Sequence, residues 1–406
     1  MADTFKPSLP YDPEKFVDRE EEILQILSLL RQSQPRFKAV VIDGDRGVGK
    51  TWLSLHLHRT VLKTQIKGTT SWLFGLHSVD DQYRPEGVKP QEGERFVHDG
   101  KSIELNEVLE IIINSLSLKL PPNPDLAEKV NLIRSYIRNH VDDRFALILD
   151  SAYESNWSLL EQLEIHFLGE LLTLSNFFVI VTGRGRPYPW KIPYLIEPIH
   201  FGLGIFSNDQ IKEQLKKFSV SSVLSVDDIY EIGAGWPLFT ERLANAQNRL
   251  EALVAAADIV FTVVSAFERS TVRRYFEALC LLDGFGESEA ALMVQVYNQG
   301  GCANGRTICN KMNETRMASW RNGRYEINAP ILNILRQYLY AKDKDVCTRL
   351  HLAAYRHFVD QASDPSNERF RPLFEKLIDT HARALSEAGI KDLQNYIANQ
   401  TKEVLL

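Results

Sequence analysis

One stretch of this sequence restricts the fold more than any other: residues 40–51 read VVIDGDRGVGKT. It matches the pattern G-x-x-x-x-G-K-[ST], with Gly44, Gly49, Lys50 and Thr51 in the required places. An apolar, β-branched run precedes the glycines and a helix-like pattern follows them, so we expect strand, loop and helix in succession. Glycines let a backbone wrap closely around a phosphate, and the helix start adds its positive dipole end. The stretch predicts a phosphate-binding loop.

Each position of this loop has an expected task. In loops of this pattern the lysine reaches the β- and γ-phosphates, and the hydroxyl that follows holds Mg²⁺. We expect those roles for Lys50 and Thr51. The other residues expected to line the nucleotide here are Gly44, Gly47, Val48, Gly49 and Trp52.

Length and composition narrow the class of protein. The 406 residues are too many for one ordinary core, and 44% hydrophobic with 25% charged residues is typical of a soluble globular protein. A net charge of −6 argues against a dedicated nucleic-acid binder. There is no run of about eighteen apolar residues and no signal-peptide core, and the few cysteines are typical of reduced thiols. We therefore expect a cytoplasmic protein without a membrane span.

Two further apolar runs predict buried strands of a parallel sheet. Residues 145–150 end in Asp150, and residues 177–182 are followed by Gly183 and Arg184. Strands that alternate with helical patterns predict an α/β domain, in which ligands bind at the carboxyl ends of the strands. We expect Asp150 to hold Mg²⁺ together with the loop hydroxyl, and Arg184 to sense the γ-phosphate.

The residues that follow Asp150 bear on nucleotide hydrolysis. A nucleotide hydrolase needs a carboxylate that positions the attacking water, and in many enzymes with this loop it directly follows the metal-binding acid. Ser151 occupies that place. Glu154 is the nearest alternative, either as that carboxylate or as an ordinary acid at a helix start. Because Ser151 replaces the carboxylate that would position the attacking water, the sequence predicts slow nucleotide hydrolysis.

From residue 206 onward the apolar residues recur with the spacing of a helix, apart from Asn322-Gly323, which is typical of a hairpin turn. Helices followed by such a hairpin suggest a winged helix. Residues 77–102, rich in Gly, Pro and charge, predict a long loop or a small hairpin. The patterns divide the chain into an N-terminal arm (1–14), a nucleotide-binding domain (15–205), a helical lid (206–262), a winged-helix domain (263–342) and a C-terminal helical segment (343–406).

The order of these motifs resembles the STAND class of signal-transduction NTPases, the AAA+-related group that holds the NB-ARC and NACHT switches. The resemblance covers residues 14–340. The matching segments are Phe16-Val17-Asp18-Arg19-Glu20 for the F-V-G-R-E entry segment, the loop itself, residues 147–154 for the second NACHT motif, residues 181–184 for the T-T-R sensor, Gly235-Trp236-Pro237-Leu238 for G-x-P-L, and residues 325–330 for the M-H-D strip.

The resemblance implies an ATP/ADP-dependent switch with slow ATP hydrolysis, coupled to domain rearrangement and to assembly or partner signalling. It implies that Phe16, Val17 and Arg19 lie near the adenine and that Pro237 stacks beside it. Three departures stand out: Asp18 replaces a glycine, Tyr153 an acid, and Asn328 the histidine of the M-H-D strip. The implied partners are an adenine nucleotide and a protein partner or further copies of the chain.

Two other interpretations remain open. An AAA+ initiator or loader would bind DNA through the winged helix, and a basic set supports this: Arg306, Lys311, Arg316, Arg321 and Arg324. A scaffold would keep ATP as a structural ligand only. The apolar side chains after residue 343 predict either core packing or a docking surface for a partner: Tyr355, Phe358, Phe370, Leu373, Phe374 and Leu377.

Overall fold

A six-stranded, fully parallel sheet forms the first part of the chain. The computed structural model describes residues 11–45, 47–77, 90–97, 102–218, 222–261 and 266–390. The strands are β1 (Ala39–Asp43), β2 (Thr69–Gly75), β3 (Glu94–Phe96), β4 (Arg144–Asp150), β5 (Phe177–Thr182) and β6 (Ile199–Gly202). Their spatial order is β3-β2-β4-β5-β1-β6. The predicted parallel α/β sheet is confirmed.

The three central strands β4, β5 and β1 are almost continuously apolar because helices cover both faces of the sheet. In the described residues up to 245 the helices are α1 (Glu20–Leu30), α2 (Lys50–His56), α3 (Leu62–Gln65), α4 (Leu105–Ser115), α5 (Leu126–Asn139), α6 (Trp157–Leu163), α7 (Gly169–Leu171), α8 (Pro193–Ile196), α9 (Asn208–Phe218), α10 (Val226–Gly233) and α11 (Pro237–Ala244). Two π-helical segments, Leu57–Val61 and Glu164–Leu168, continue α2 and α6.

The described part of residues 77–102 differs from the predicted loop or hairpin. It contains β3, which pairs with β2 in parallel and places Glu94 opposite Leu73. Glu94 is buried and accepts two hydrogen bonds from Arg59, each 2.6 Å long. This ion pair connects β3 to the π-helical segment Leu57–Val61, which continues α2. The rest of the predicted insertion, residues 78–89 and 98–101, lies outside the described residues, as do residues 1–10, Arg46 and residues 391–406.

The described residues of the second part of the chain form helices and one β-hairpin. Its elements are α12 (Arg249–Val260), α13 (Ala266–Leu279), α14 (Glu287–Tyr297), α15 (Gly305–Glu314), β7 (Ala318–Arg321), β8 (Arg324–Ile327), α16 (Ala329–Lys342), α17 (Lys344–Ser363) and α18 (Arg371–Glu387). Asn322 and Gly323, at φ +50° and +81°, form the predicted two-residue turn between β7 and β8. Phe285 exchanges two backbone hydrogen bonds with Tyr325, which ties the segment before α14 to the hairpin.

The described residues fall into two compact units. Residues up to 231 together with 235–245 form the first, and residues 232–234 together with those from 246 onward form the second. Helices α9 and α11 thus belong with the sheet, and α12 belongs with the C-terminal helices. The bounds of the five predicted segments stay predictions. Among the described residues, no helix is both long and apolar enough to cross a membrane.

Helices α17 and α18 pack together around a pair of buried histidines. The Nδ1 atoms of His351 and His381 lie 2.7 Å apart, and the Nε2 atom of His351 lies 2.6 Å from the Tyr340 hydroxyl. Burial, with the nearby Arg336 cation, lowers the pKa of both rings, to about 3 for His351 and about 4 for His381. Both rings are therefore neutral at physiological pH.

The apolar side chains of this C-terminal segment divide into two sets. Phe358, Phe374 and Leu377 are buried between the helices, as core packing predicts. Phe370 and Leu373 are exposed by 52% and 40%. Only the first set belongs to the core of this unit.

Candidate nucleotide-binding site

The loop between β1 and α2 depends on glycine at three positions. Gly44, Gly47 and Gly49 have φ values of +148°, +83° and +101°, a backbone region that other residues rarely adopt. A Cβ atom on Gly44 would also lie 2.9 Å from the carbonyl oxygen of Leu203. Because this close approach excludes a side chain, the wrapped shape of the loop is determined by these glycines.

Lys50 opens α2 and folds back over the loop. Its Nζ donates hydrogen bonds to the carbonyl oxygens of Gly44, at 2.7 Å, and Asp45, at 2.9 Å. The side chain is 8% exposed, and this burial lowers the pKa of the ammonium group, while Glu154 and Asp150 oppose the shift. Phosphate oxygens are better acceptors for this cation than carbonyl oxygens, so the residues present fit a bound polyphosphate.

Asp150, at the end of β4, receives hydrogen bonds from four hydroxyl groups. Thr51 donates at 2.8 Å, Ser54 at 3.1 Å, Thr182 at 2.6 Å and Ser151 at 3.4 Å. The carboxylate is 3% exposed. Thr51 and Asp150 were both expected at a metal, and the structure brings their oxygens together as a set of hard ligands that suits Mg²⁺.

Ser54 and Thr182 were not among the expected site residues. The hydroxyl of Thr182 also accepts a hydrogen bond from the backbone N–H of Ser151, at 3.0 Å, so it joins the ends of β4 and β5. The sequence holds a weak signal for Ser54, which lies one helical turn after Thr51. No pattern marked Thr182 beyond its place at the end of a strand.

Glu154 and Arg184 lie together beside the lysine. Glu154 accepts a 3.1 Å hydrogen bond from the backbone N–H of Arg184, and its other oxygen lies 3.5 Å from the Arg184 Nε. Burial raises the pKa of the Glu154 carboxyl, although Lys50 and Arg184 oppose the shift. A buried carboxylate with a raised pKa is a stronger base than an exposed one, so Glu154 can accept a proton from water.

Tyr153 fills the position at which the resembled class has an acid. Its side chain is 3% exposed and packs against the backbone of Gly183, where a Cβ atom would lie 2.6 Å from the tyrosine ring. The residue is therefore part of the core under the sensor loop. Among the described residues near Lys50, the carboxylates are Asp150, Glu154 and Asp45.

The entry segment packs against the loop from the other side. The ring of Phe16 stacks on that of His56, with centroids 3.9 Å apart, and Val17 is buried. Arg19 is 6% exposed and donates to the carbonyl oxygens of Val48, at 3.0 Å, and Gly204, at 2.8 Å. Arg19 thus supports the backbone of the loop.

Trp52 lies on the same side, half-buried. Its ring meets that of Tyr11 edge to face at a centroid distance of 5.5 Å. The Tyr11 hydroxyl lies 2.8 Å from the Nδ1 atom of His56. Residues from the entry segment and from α2 therefore form one aromatic cluster next to the loop.

The G-x-P-L segment also reaches the loop, through a residue that was not expected there. The backbone N–H of Leu238 donates to the carbonyl oxygen of Gly47 at 3.2 Å. A Cβ atom on Gly47 would lie 3.0 Å from the Leu238 Cβ. Pro237 begins α11, and its carbonyl oxygen accepts a 3.2 Å hydrogen bond from Gln214 of α9.

Two groups from the sequence analysis belong to the second unit. Asn328 is the residue before α16, and its side-chain nitrogen lies 3.5 Å from the carbonyl oxygen of Arg316. Within the basic set, Lys311 forms an ion pair with Glu268 at 2.6 Å, and Arg324 forms one with Glu289 at 3.1 Å. The place of Asn328 in the M-H-D strip stays a prediction, and two cations of the basic set form ion pairs with carboxylates.

Comparison with known proteins found structural likenesses only, since no family model and no curated protein matches the chain. A Walker-type ATPase of Pyrococcus abyssi is 14% identical, with 81% of this chain and 98% of that chain covered and a TM-score of 0.47. Cdc6p of Pyrobaculum aerophilum is 13% identical, with 84% and 97% covered and a TM-score of 0.38.

A STAND protein with a tetratricopeptide repeat sensor from Pyrococcus horikoshii is 14% identical, with a TM-score of 0.34. The likeness covers 98% of this chain and 53% of that protein. At such identities and TM-scores these likenesses carry no conclusion about activity. The parallel sheet, the glycine loop and the acid at the end of β4 form the arrangement that the P-loop sequence pattern predicts.

Proposed function

We propose that this protein is an ATP/ADP-dependent molecular switch of the STAND type, in which slow ATP hydrolysis is coupled to domain rearrangement. The output is assembly of several copies or signalling to a protein partner. Lys50 would bind the phosphates, and Thr51 with Asp150 would hold Mg²⁺, which would neutralise charge on the phosphates. Arg184 would sense the γ-phosphate.

The observation that carries this proposal is the contact between Leu238 and Gly47. It joins the phosphate-binding loop to the start of α11 by a backbone hydrogen bond of 3.2 Å. Along the chain, α11 lies between two segments that belong to the second unit, residues 232–234 and those from 246 onward. A ligand that changes the conformation of the loop would therefore also act on α11. Along the chain, this helix lies between the two segments of the second unit, so the ligand could influence both units, as a switch requires.

The arrangement around Asp150 supports slow turnover. Ser151 directly follows the acid in a left-handed conformation, φ +56°, and its side chain is a hydroxyl that donates to Asp150 rather than a carboxylate. The nearest carboxylate that can activate water is that of Glu154, and it is hydrogen-bonded to Arg184. Water activation thus competes with this existing contact.

A titration with adenine nucleotides tests the proposal. The wild-type protein should bind ADP and ATP in isothermal titration calorimetry, and Lys50→Ala should lower the affinity roughly 100-fold or more because several charge-assisted hydrogen bonds are lost. Lys63→Ala, an exposed lysine on the same helical stretch, is the control. Equal affinity in Lys50→Ala and wild type would contradict nucleotide binding at this loop.

Size measurement separates a switch from a scaffold. Light scattering with ADP and with a non-hydrolysable ATP analogue should give different masses or hydrodynamic radii if the nucleotide controls assembly or domain arrangement. Identical values, together with bound nucleotide and no hydrolysis, would support the scaffold interpretation instead.

Binding of duplex DNA is a second candidate function, supported by the hairpin. Trp320 is 58% exposed on β7, and the exposed Arg321 follows it. An exposed aromatic beside a cation can contact sugars and phosphates. Fluorescence anisotropy with a labelled duplex should show salt-sensitive binding that weakens in Arg321→Ala. Binding that is absent at low salt would remove this candidate.

A further inference from the structure

Asp18 takes the place of a glycine in the resembled entry segment, and its backbone conformation is costly. Its φ is +62°, and that of Arg19 is +81°, so two consecutive non-glycine residues are left-handed. Glycine would adopt this conformation without strain. A carboxylate at this position can accept hydrogen bonds that a glycine cannot.

The carboxylate of Asp18 bonds to the first turn of α9. It accepts a 2.5 Å hydrogen bond from the Nε2 atom of Gln210. The other amide atom of Gln210, Oε1, accepts a 2.6 Å bond from the backbone N–H of Ser207 and so caps the helix. Both ends of the amide are therefore engaged, and the donor end is directed at Asp18.

This bond completes a closed path of contacts around the phosphate-binding loop. On one side, Arg19 donates to Val48 of the loop, and its neighbour Asp18 bonds to α9. On the other side, Gln214 of α9 donates to the carbonyl oxygen of Pro237, and the next residue donates to Gly47 of the loop. The path runs from the loop through the entry segment, α9 and α11 and back to the loop.

A second contact strengthens the same side of this path. The Nζ atom of Lys217, at the end of α9, donates a 2.6 Å hydrogen bond to the carbonyl oxygen of Phe16. Helix α9 is thus held on the entry segment at both of its ends, by Asp18 at the first turn and by Phe16 at the last. The bond at Asp18 is the one made by a side chain that the resembled class lacks.

We propose that the hydrogen bond between Asp18 and Gln210 is a latch that holds α9 against the entry segment and lengthens the time for which a nucleotide stays bound. Asp18 and Gln210 are positioning residues, since they act through the loop and the entry segment. The inference rests on the proposed nucleotide binding and adds to it a specific control of release.

Three substitutions test the latch. Asp18→Gly removes the carboxylate and relieves the left-handed strain. Asp18→Asn keeps an acceptor oxygen. Gln210→Glu keeps the oxygen that caps α9 but places a second carboxylate against Asp18. Asp209→Asn, at a fully exposed neighbouring position, is the control. The measurement is the release rate of a fluorescent ADP analogue, chased with excess ADP, together with the melting temperature of the nucleotide-free protein.

We expect release to become roughly 10-fold faster in Asp18→Gly, which loses the charge-assisted hydrogen bond from Gln210 and the 3.6 Å ion pair with Arg19, with Asp18→Asn in between. The melting temperature of Asp18→Gly should stay close to that of wild type, because relief of the left-handed strain offsets the lost hydrogen bond and the added freedom of the unfolded chain; a much lower value would assign Asp18 a purely structural role. Gln210→Glu should accelerate release in the wild-type background and add nothing in the Asp18→Gly background.

Release rates within twofold of wild type in Asp18→Gly and Gln210→Glu would overturn the latch. If Lys50→Ala loses binding in the same assay, the proposed function stands and only the latch is wrong. If the wild-type protein binds no nucleotide, the proposed function and the latch both fail.

Discussion

The candidate nucleotide-binding site and the interface between α17 and α18 both bury polar side chains, but these side chains have different kinds of hydrogen-bond partners. At the site, Lys50 donates to two loop carbonyls, and hydroxyl groups surround Asp150. Those partners can be exchanged for phosphate oxygens, water or a metal ion. At the interface, His351 and His381 bond to each other, and His351 also bonds to Tyr340.

The comparison teaches that burial alone does not mark a functional site. A buried charged group whose partners are backbone carbonyls can gain from a ligand. A neutral pair that satisfies itself gains nothing from one, and its burial affects stability instead. We expect changes at the first cluster to alter binding and turnover, and changes at the second to alter the pH dependence of folding.

The largest effect is expected for Glu154→Gln. The amide keeps an acceptor for the Arg184 backbone N–H but cannot take a proton from water, so ATP turnover should fall about 100-fold or more while nucleotide affinity changes little. Single-turnover hydrolysis and calorimetry measure the two quantities. Glu161→Gln, exposed on α6, is the control. Unchanged turnover would assign water activation to another group.

The next effect concerns the histidine pair. In the unfolded chain a histidine has a pKa near 6.5, whereas burial lowers those of His351 and His381 to about 3 and about 4. Because the unfolded state binds more protons below pH 6.5, the stability that each neutral ring contributes is present above that pH. It is lost as the pH falls toward 4, by up to about 1.4 kcal/mol per pH unit and proton.

Hydrogen exchange of α17 and α18 at pH 7, 6 and 5 measures this loss. His381→Gln keeps a hydrogen-bonding group without a titrating one and should flatten the profile. His166→Gln, at an exposed position in the first unit, should leave it unchanged. Equal protection of the two helices at pH 7 and pH 5 in wild type would refute the role of the pair.

The smallest effect is expected for Thr182→Val. This change removes the hydroxyl that donates to Asp150 and leaves the Ser151 N–H without its acceptor. We expect a loss of about 1–2 kcal/mol in the unfolding free energy of the first unit. Urea titration of wild type and variant measures it, with Thr173→Val, at an exposed position two residues after α7, as the control. An equal loss in both variants would mean that the bond to Asp150 carries no special weight.

Local patterns predicted the loop and most of the sheet. The glycines and Lys50 could be found because consecutive residues create the whole phosphate-binding geometry. Asp150 could be found because it ends an apolar run long enough to indicate a buried strand. The three-residue strand β3 could not, since it is too short to show a period and follows a polar segment.

Contacts between segments that are far apart along the chain could not be predicted from the sequence. Ser54 and Thr182 are ordinary hydroxyl residues, and only their distances to Asp150 reveal a role. Leu238 belongs to the G-x-P-L motif, but its hydrogen bond to Gly47 is made by its backbone N–H. A backbone contact cannot be predicted from the type of residue. The ion pairs of Lys311 and Arg324 likewise depend on side-chain positions that a count of charges does not contain.

By itself, the sequence determined the alternation of strands and helices and the shape of the glycine loop, because both follow from the conformational limits of neighbouring residues. Only the tertiary structure decided what Asp18 and Arg19 do. Arg19 bonds to Gly204, 185 residues away, and Asp18 bonds to Gln210, 192 residues away. A hydrogen bond forms where two groups meet in space with the right geometry, and that meeting depends on the packing of the whole unit.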